Sequence, residues 1–355
     1  MNILFYGAGV LGSLYAARLQ EAGHDVSVLA RGQRLADLCE HGIVLEEAAT
    51  GRRSTTRVRV VEQLAPEDAY DLIVLLVRKN QVSTVLPALA TNCNTPNVLF
   101  MVNNAAGPGE IVHALGPERV LLGFPGAGGQ RDGHVVRYNH VSGLVQPTTF
   151  DELDGRITPR LRRVAGAFRS AGFPVALSRN IDAWLKTHVA LVSPIANAIY
   201  MAGGDNYRLA HTRDGVVLMI RAIRESFRVL QALRVPITPP KLRAIDWVPE
   251  PVLVAAMQRA LDTNWAEVVM ARHANVARDE MQQLAIEFQA LARTASVRTP
   301  AMDYLATFID PDVPPVGEGS AQIKLDWRPV WRTLGALGTL AGLGLGLGLL
   351  RRRRR

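Results

Sequence analysis

Apolar residues in the first third of the chain gather into short runs instead of spreading evenly. NILFYG (2–7) and DVSVLA (25–30) are two such runs, and the helical pattern between them gives the spacing of a βαβ unit. DLIVLLV (71–77), NVLFMV (97–102) and RVLLGF (119–124) repeat the theme. Each leads into a polar or glycine-bearing loop, and helical patterns intervene. Strands this continuously apolar suit a sheet covered on both faces, so the alternation predicts an α/β N-terminal domain of the Rossmann type, a doubly wound parallel sheet. Residues 125–150 read as hairpin-like and add antiparallel strands. A helix near 158–172 and a short strand at 173–177 complete the domain.

From Asn180 onward the period changes. NIDAWLKTHVALVSPIANAIYMA, DGVVLMIRAIRESFRVLQAL, PEPVLVAAMQRAL and ARDEMQQLAIEFQALARTA all carry helical spacing with few strand signals. Thr299-Pro300 starts a further helix, with Thr as cap and Pro at the first helical position. The pattern therefore predicts a domain at 1–179, an all-α C-terminal domain at 180–309, a Pro/Gly/acid linker at 310–332, and a Gly/Leu-rich tail at 333–355.

Composition adds limits. The chain has 355 residues, enough for two cores, and 48% hydrophobic with 20% charged residues is ordinary for a globular protein. Its net charge of +8 draws heavily on Arg351 to Arg355, so the body is only mildly basic and no nucleic-acid partner is read from it. Cys39 and Cys93 match neither a disulfide framework nor a metal motif. No His-Glu-x-x-His or paired-ligand spacing appears, and no metal site is expected. Met1-Asn2-Ile3 runs straight into a strand, which leaves no room for a signal peptide and places the body in the cytoplasm.

The uncharged run 333–350 would reach ~27 Å as a helix, near one bilayer core. Trp327 and Trp331 would suit an interface, and Gly338, Gly342 and Gly346 a close-packing face. Against a spanning anchor stand the alternating glycines and an outward placement of the five arginines. A surface-associated or disordered tail is the favoured expectation and a membrane-spanning anchor the alternative, any membrane association being made through 333–350.

The first turn carries the clearest chemistry. Gly7-Ala8-Gly9-Val10-Leu11-Gly12 follows a strand and opens a helix, the setting in which the G-x-G-x-x-G pattern binds a dinucleotide. Gly7 permits the tight turn, Gly9 lets the backbone approach a pyrophosphate, and Gly12 lets helix and strand pack closely. The helix N-terminus supplies N–H groups and a positive dipole end. An acid ending the second strand would accept from the ribose 2′-hydroxyl of NAD. Here Ala30 is followed by Arg31, with Arg34 one turn on. Arginine suits a 2′-phosphate, which predicts NADP.

Together the turn, the arginine, an Asn-containing loop and the helical second half resemble the ketopantoate reductase family over residues 1 to about 309. That family reduces 2-dehydropantoate to pantoate with NADPH, in pantothenate biosynthesis, and its second domain is of the 6-phosphogluconate dehydrogenase-like type. The resemblance assigns roles to specific positions. Arg78 in LLVRKNQV stands where the family has a cofactor-contacting lysine three residues before Gln81, with Lys79 as the fallback. Asn104 in MVNNAAGPGE matches an asparagine that bridges cofactor and substrate, and Asn103 is the alternative. Lys186 in DAWLKTHVALVSPIANAIY sits where the family carries its catalytic lysine, the proton donor to the keto oxygen. Glu280, by its distance from Pro300, matches the glutamate that engages the substrate's hydroxyl. First-turn acids Asp279 and Glu280 would alternatively serve a helix dipole.

The family pattern is not complete. One and two turns after the lysine, where the family has asparagines, stand Ala190 and Pro194, or Ser193 if the register slips. Lys186, Ala190, Ser193 and Asn197 share one helical face, so Ser193 and Asn197 are the candidate replacement contacts. Pro194 also frees the Ala190 carbonyl. The family's Ser-Met…Asp run is not evident, and His273 and Asn275 lie in its place. The resulting expectation is an NADPH-dependent reductase of a small 2-keto acid, with a homodimer through the helical half allowed by the resemblance. The alternatives are a related hydroxyacid dehydrogenase and a non-catalytic NADP-binding protein held at a membrane.

Overall fold

A computed structural model of the chain describes residues 1–140 and 146–327; the expectations for the tail fall outside the described residues. The main sheet has eight strands in the order Val175–Leu177, Thr148–Glu152, Val120–Phe124, Val98–Phe100, Leu72–Leu75, Asn2–Tyr6, Asp25–Leu29 and Arg59–Val61. The six from Val120–Phe124 to Arg59–Val61 are mutually parallel. Thr148–Glu152 joins them antiparallel, and Val175–Leu177 pairs parallel with it. Why the strands are apolar throughout is clear from the two cores they separate. One face packs Ile3, Phe5, Val28 and Val74 against the helix Val10–Glu21 and the helix Pro159–Ser170. The other packs Leu4, Ile73 and Leu75 against the helices Val82–Thr91 and Gly109–Leu115. With both faces dry, no alternation is needed.

A second, four-stranded sheet was only half anticipated. The hairpin Ala127–Asp132 and Val135–His140 lies in the hairpin-like stretch, and it pairs with Ile43–Glu47, which pairs in turn with Arg53–Thr56. These last two strands were not foreseen. Ile43 and Leu45 are buried on one face while Glu46 and Arg53 form an ion pair on the other, an alternation too short to register as a period.

The second half is helical, as expected. Its central element is the helix Ile181–Met201, capped by the Asn180 side chain accepting from the Ala183 N–H at 3.0 Å. It runs unbroken through Pro194. Ile181 and Leu185 belong to the sheet's core, whereas Val189, Ala190 and Ala196 belong to the core of the helical half. One rigid rod is thus seated in both halves, and Lys186 falls where the two cores meet.

Residues 310–327 do not behave as a free linker. Val313, Val316, Ile323 and Leu325 pack against the helical core. Buried Asp214 accepts from the Ser320 hydroxyl at 2.5 Å and from the N–H groups of Gln322 and Ile323 at 2.8 Å. The segment is a strap over the helices, fastened by a carboxylate whose polarity no periodicity reports. Among the described residues no helix is long and apolar enough to cross a membrane.

Candidate active site

The glycine turn opens at the carboxyl edge of the parallel strands, where doubly wound sheets receive ligands. Gly7 has φ +120°, a conformation closed to other residues, and a Cβ on Gly12 would overlap the Gly7 carbonyl oxygen. A Cβ on Gly9 would meet nothing within 4 Å, so its outer face is open to a ligand. Gly9 caps the helix Val10–Glu21 without any side-chain hydrogen bond. The N–H groups of Val10, Leu11 and Gly12 therefore lack intrahelical acceptors and point at the turn, while the side chains of Val10 and Leu11 pack on the core. A cavity of about 350 Å³ is lined by Gly7, Ala8, Gly9 and Arg31 together with Arg34 and Arg131.

The two arginines after the second strand separate into different jobs. Arg31 is exposed and makes only long contacts of 3.5 Å to the Glu62 carbonyl and the Tyr6 hydroxyl. Arg34 is buried and used up by the fold: it donates to the Ala8 carbonyl at 3.0 Å, the His134 carbonyl at 3.2 Å and Ser13 Oγ at 2.8 Å. Burial and the nearby charge of Arg131 push its pKa down to about 10, still cationic at neutral pH. Arg131, on the hairpin strand, joins Arg31 and Arg34 in lining the pocket. Its position depends on the second sheet, which is why local sequence gave no signal. Among the described residues none of these three guanidinium groups forms an ion pair with a carboxylate.

At the junction of the cores, Lys186 is buried and its Nζ donates to Asp182 Oδ1, one turn earlier. The ammonium lies 3.2 Å from where a Cβ on Gly107 would be, so that glycine makes room for it. Gly107 belongs to the loop that follows the strand Val98–Phe100. Asn104 shapes that loop: its Oδ1 accepts from the Gly107 N–H at 3.0 Å and its Nδ2 donates to the Gly107 carbonyl at 2.9 Å. Both ends of the Asn104 amide thus bond within the loop, whereas Asn103 makes a contact that leaves it. Asn103 Nδ2 donates to Glu280 Oε1 at 3.1 Å, and its own Oδ1 is buried without a partner.

Glu280 is buried in the first turn of the helix Arg278–Thr294 and also accepts from the Lys79 N–H at 3.2 Å. That helix reaches the sheet half at further points. Arg78, the expected cofactor contact, donates within the protein to Asp279 Oδ1 and to the Val276 carbonyl, both at 2.8 Å. Burial alone would raise the Asp279 pKa, but the bonds from Asn80 and Arg78 hold it below the ordinary carboxylate range. Lys79, the fallback position, is buried with its Nζ 3.5 Å from Glu287. Glu287 itself accepts from the N–H groups of Ala105 and Ala106, both at 3.0 Å. It was missed because an acid in a charged helix reads as solvated surface. The available signal was its spacing of seven from Glu280, which puts both on one face.

Ser193 and Asn197 are both buried on the helix that carries Lys186, and Asn197 Oδ1 has no partner. Two turns of that helix also hold Trp184 and His188, stacked at 5.1 Å with Phe124 tilted against both. His188 is not fully covered, yet burial and then the charge of His273 push its pKa down to about 4. Among the described residues no group of His, Cys, Asp or Glu is placed to hold a metal ion.

The model of the family described as ketopantoate reductase PanE/ApbA matches residues 3–155. A 2-dehydropantoate 2-reductase of Archaeoglobus fulgidus is 30% identical over 235 residues, covering 65% of this chain and 74% of that protein. Among solved structures, a 2-dehydropantoate 2-reductase of Geobacter metallireducens superposes with a TM-score of 0.73 at 16% identity, covering 88% of this chain and 100% of the other. A D-mandelate dehydrogenase with NADH and anilino(oxo)acetate superposes with a TM-score of 0.70 at 17% identity, over 88% and 97% of the two chains. At those identities the structural likeness speaks for the fold.

The depressed His188 gives a pH prediction. The unfolded chain protonates this imidazole below about 6.5 whereas the folded protein resists until about 4, so stability falls as pH drops through that window. His188→Gln should remove about 1–2 kcal/mol of the stability lost between pH 7.5 and pH 5, measured by urea unfolding at both values. An identical acid loss in the variant would show that the imidazole is not shielded.

Proposed function

The chain belongs to the ketopantoate reductase family, and on that premise we propose that it uses NADPH to reduce a small 2-keto acid, 2-dehydropantoate or a close analogue. Lys186 is the proton donor in this reading. The observation that carries it is the place of Lys186, a buried ammonium where the two cores meet, beside the loop that closes the carboxyl edge of the sheet.

The turn fits a dinucleotide. Gly7, Ala8 and Gly9, with the free N–H groups of Val10, Leu11 and Gly12, would hold the pyrophosphate. Arg31 and Arg131 would hold the adenosine 2′-phosphate, and two guanidinium groups at the cavity that form no ion pair among the described residues favour that extra anion over a hydroxyl. When bound, the nicotinamide supplies a hydride to the keto carbon. The rest falls to this chain's own residues. Negative charge grows on the keto oxygen, and the Lys186 ammonium, oriented by Asp182, stabilises it and donates its proton there. Glu280, held by Asn103 and the Lys79 N–H, offers an acceptor to a substrate hydroxyl. Ser193 and Asn197 contribute the polar contacts left by the family's missing asparagines, and the unpartnered Asn197 oxygen supports that role.

A related hydroxyacid dehydrogenase of other substrate is the second reading, and one observation favours it: buried Ala190 and Pro194 offer no polar side chain at the family's asparagine positions. Comparing kcat/KM for 2-dehydropantoate with that for phenylglyoxylate separates the two.

Two results test the proposal. Arg31→Ala and Arg131→Ala should each weaken NADPH about 10- to 100-fold, the loss of one charge-assisted contact, and leave NADH within about threefold. Equal losses for both nucleotides would remove the 2′-phosphate assignment. Lys186→Met should lower kcat on the 2-keto acid by about 100-fold or more at unchanged NADPH affinity. Turnover that survives this substitution would dismiss the proton-donor role.

A further inference from the structure

The helix Arg278–Thr294 places two buried carboxylates on one face, Glu280 and Glu287, two turns apart. Only the first has a role in the reading above. Glu287 is 7% exposed and is surrounded by donors: the N–H groups of Ala105 and Ala106 at 3.0 Å, Gln283 Nε2 at 3.1 Å and Lys79 Nζ at 3.5 Å. Taking a carboxylate out of water is costly, and an apolar side chain would fill this position without that cost. What the acid provides is one oxygen, Oε2, that accepts from both adjacent backbone N–H groups of the other half of the molecule, while Oε1 faces Gln283 and the Lys79 ammonium.

Those two N–H groups lie in the middle of the loop 103–107. On one side of them Asn103 donates to Glu280, and on the other Gly107 borders the Lys186 ammonium. Asn104 ties the far end of the loop to itself, so the loop moves as a unit. Glu280 and Glu287 stand about 10 Å apart along one rigid helix and so hold this unit at two points. We infer that Glu287, with Lys79 as its charge partner, is the positioning residue that sets the 103–107 loop against Lys186 and Glu280. It fixes how closely the two halves approach at the reacting centre and makes no contact with the glycine turn. This rests on the reading of Lys186 as proton donor.

The test compares Glu287→Ala, Glu287→Gln and the unaltered full chain in two independent readouts. The first is amide hydrogen exchange over residues 101–109, followed without any ligand. The second is kcat on 2-dehydropantoate alongside the dissociation constant of NADPH. Glu287→Ala should speed exchange at Ala105 and Ala106 by about tenfold or more and lower kcat by about 10- to 100-fold, with NADPH affinity within twofold. Glu287→Gln keeps the volume and one acceptor oxygen, so it should recover part of both losses, and it carries the comparison alone where the alanine variant does not fold. Wild-type exchange at Ala105 and Ala106 in Glu287→Ala overturns the inference, as does an undiminished kcat there; where only Glu287→Gln folds, exchange and kcat that both equal those of the unaltered chain overturn it. Should the unaltered chain reduce no 2-keto acid, the proposed function fails, while the exchange data still decide whether Glu287 holds the loop.

Discussion

The arrangement depends on one rod anchored in two cores. Ile181 and Leu185 are buried with the sheet, and from Val189 onward the same helix is buried with the helical half. Fully burying a single leucine or isoleucine contributes about 1.5–3 kcal/mol, so neither end of the rod leaves its core cheaply. Lys186 therefore has a fixed place at the seam, and the loops of the sheet half must come to it. Loop 103–107 does so under the grip of Glu280 and Glu287, and residues 78–80 do so through Arg78, Lys79 and Asn80 on Asp279 and Glu280. Hydrophobic seating sets the geometry, and hydrogen bonds to buried carboxylates refine it.

Charge is distributed unevenly around that geometry. At the seam, cations and acids are matched: Lys186 with Asp182, Lys79 with Glu287, Arg78 with Asp279. At the glycine turn Arg31, Arg34 and Arg131 gather around one cavity, and among the described residues none of them forms an ion pair with an acid. Matched charges serve a structure that must hold together by itself. A cationic cluster next to free helical N–H groups gives that cavity a positive field that favours anions. The same contrast separates the two arginines that follow the second strand, one spent on Ala8, Ser13 and His134, the other left at the pocket.

Local pattern made much of this legible. The parallel strands, the glycine turn and the long helix with Lys186 all announce themselves within a window of a few turns, and each lies where its spacing indicated. Features set by tertiary pairing did not. In Asn103-Asn104 two identical side chains differ only in which way a loop turns, and the turn ties Asn104 to Gly107 and Asn103 to Glu280. Glu287 looks like solvent-facing charge until the loop is packed over it. Arg131 reaches the pocket only because the second sheet folds its hairpin back. Residues 310–327 have the composition of a linker, and their apolar residues, at irregular intervals, show a binding face only once Asp214 is seen beneath them. Chemistry near the backbone was readable, while chemistry that two halves make together was not.

The central claim is that the turn and the seam form a single redox site, and following a labelled hydrogen tests it most directly. The full chain would be incubated with NADPH carrying deuterium at both nicotinamide C4 positions and with 2-dehydropantoate, and the product examined by NMR. The account predicts a 2-hydroxy acid carrying one deuterium at C2 for each cofactor oxidised. Tight NADPH binding with every 2-keto acid recovered unreduced would contradict it.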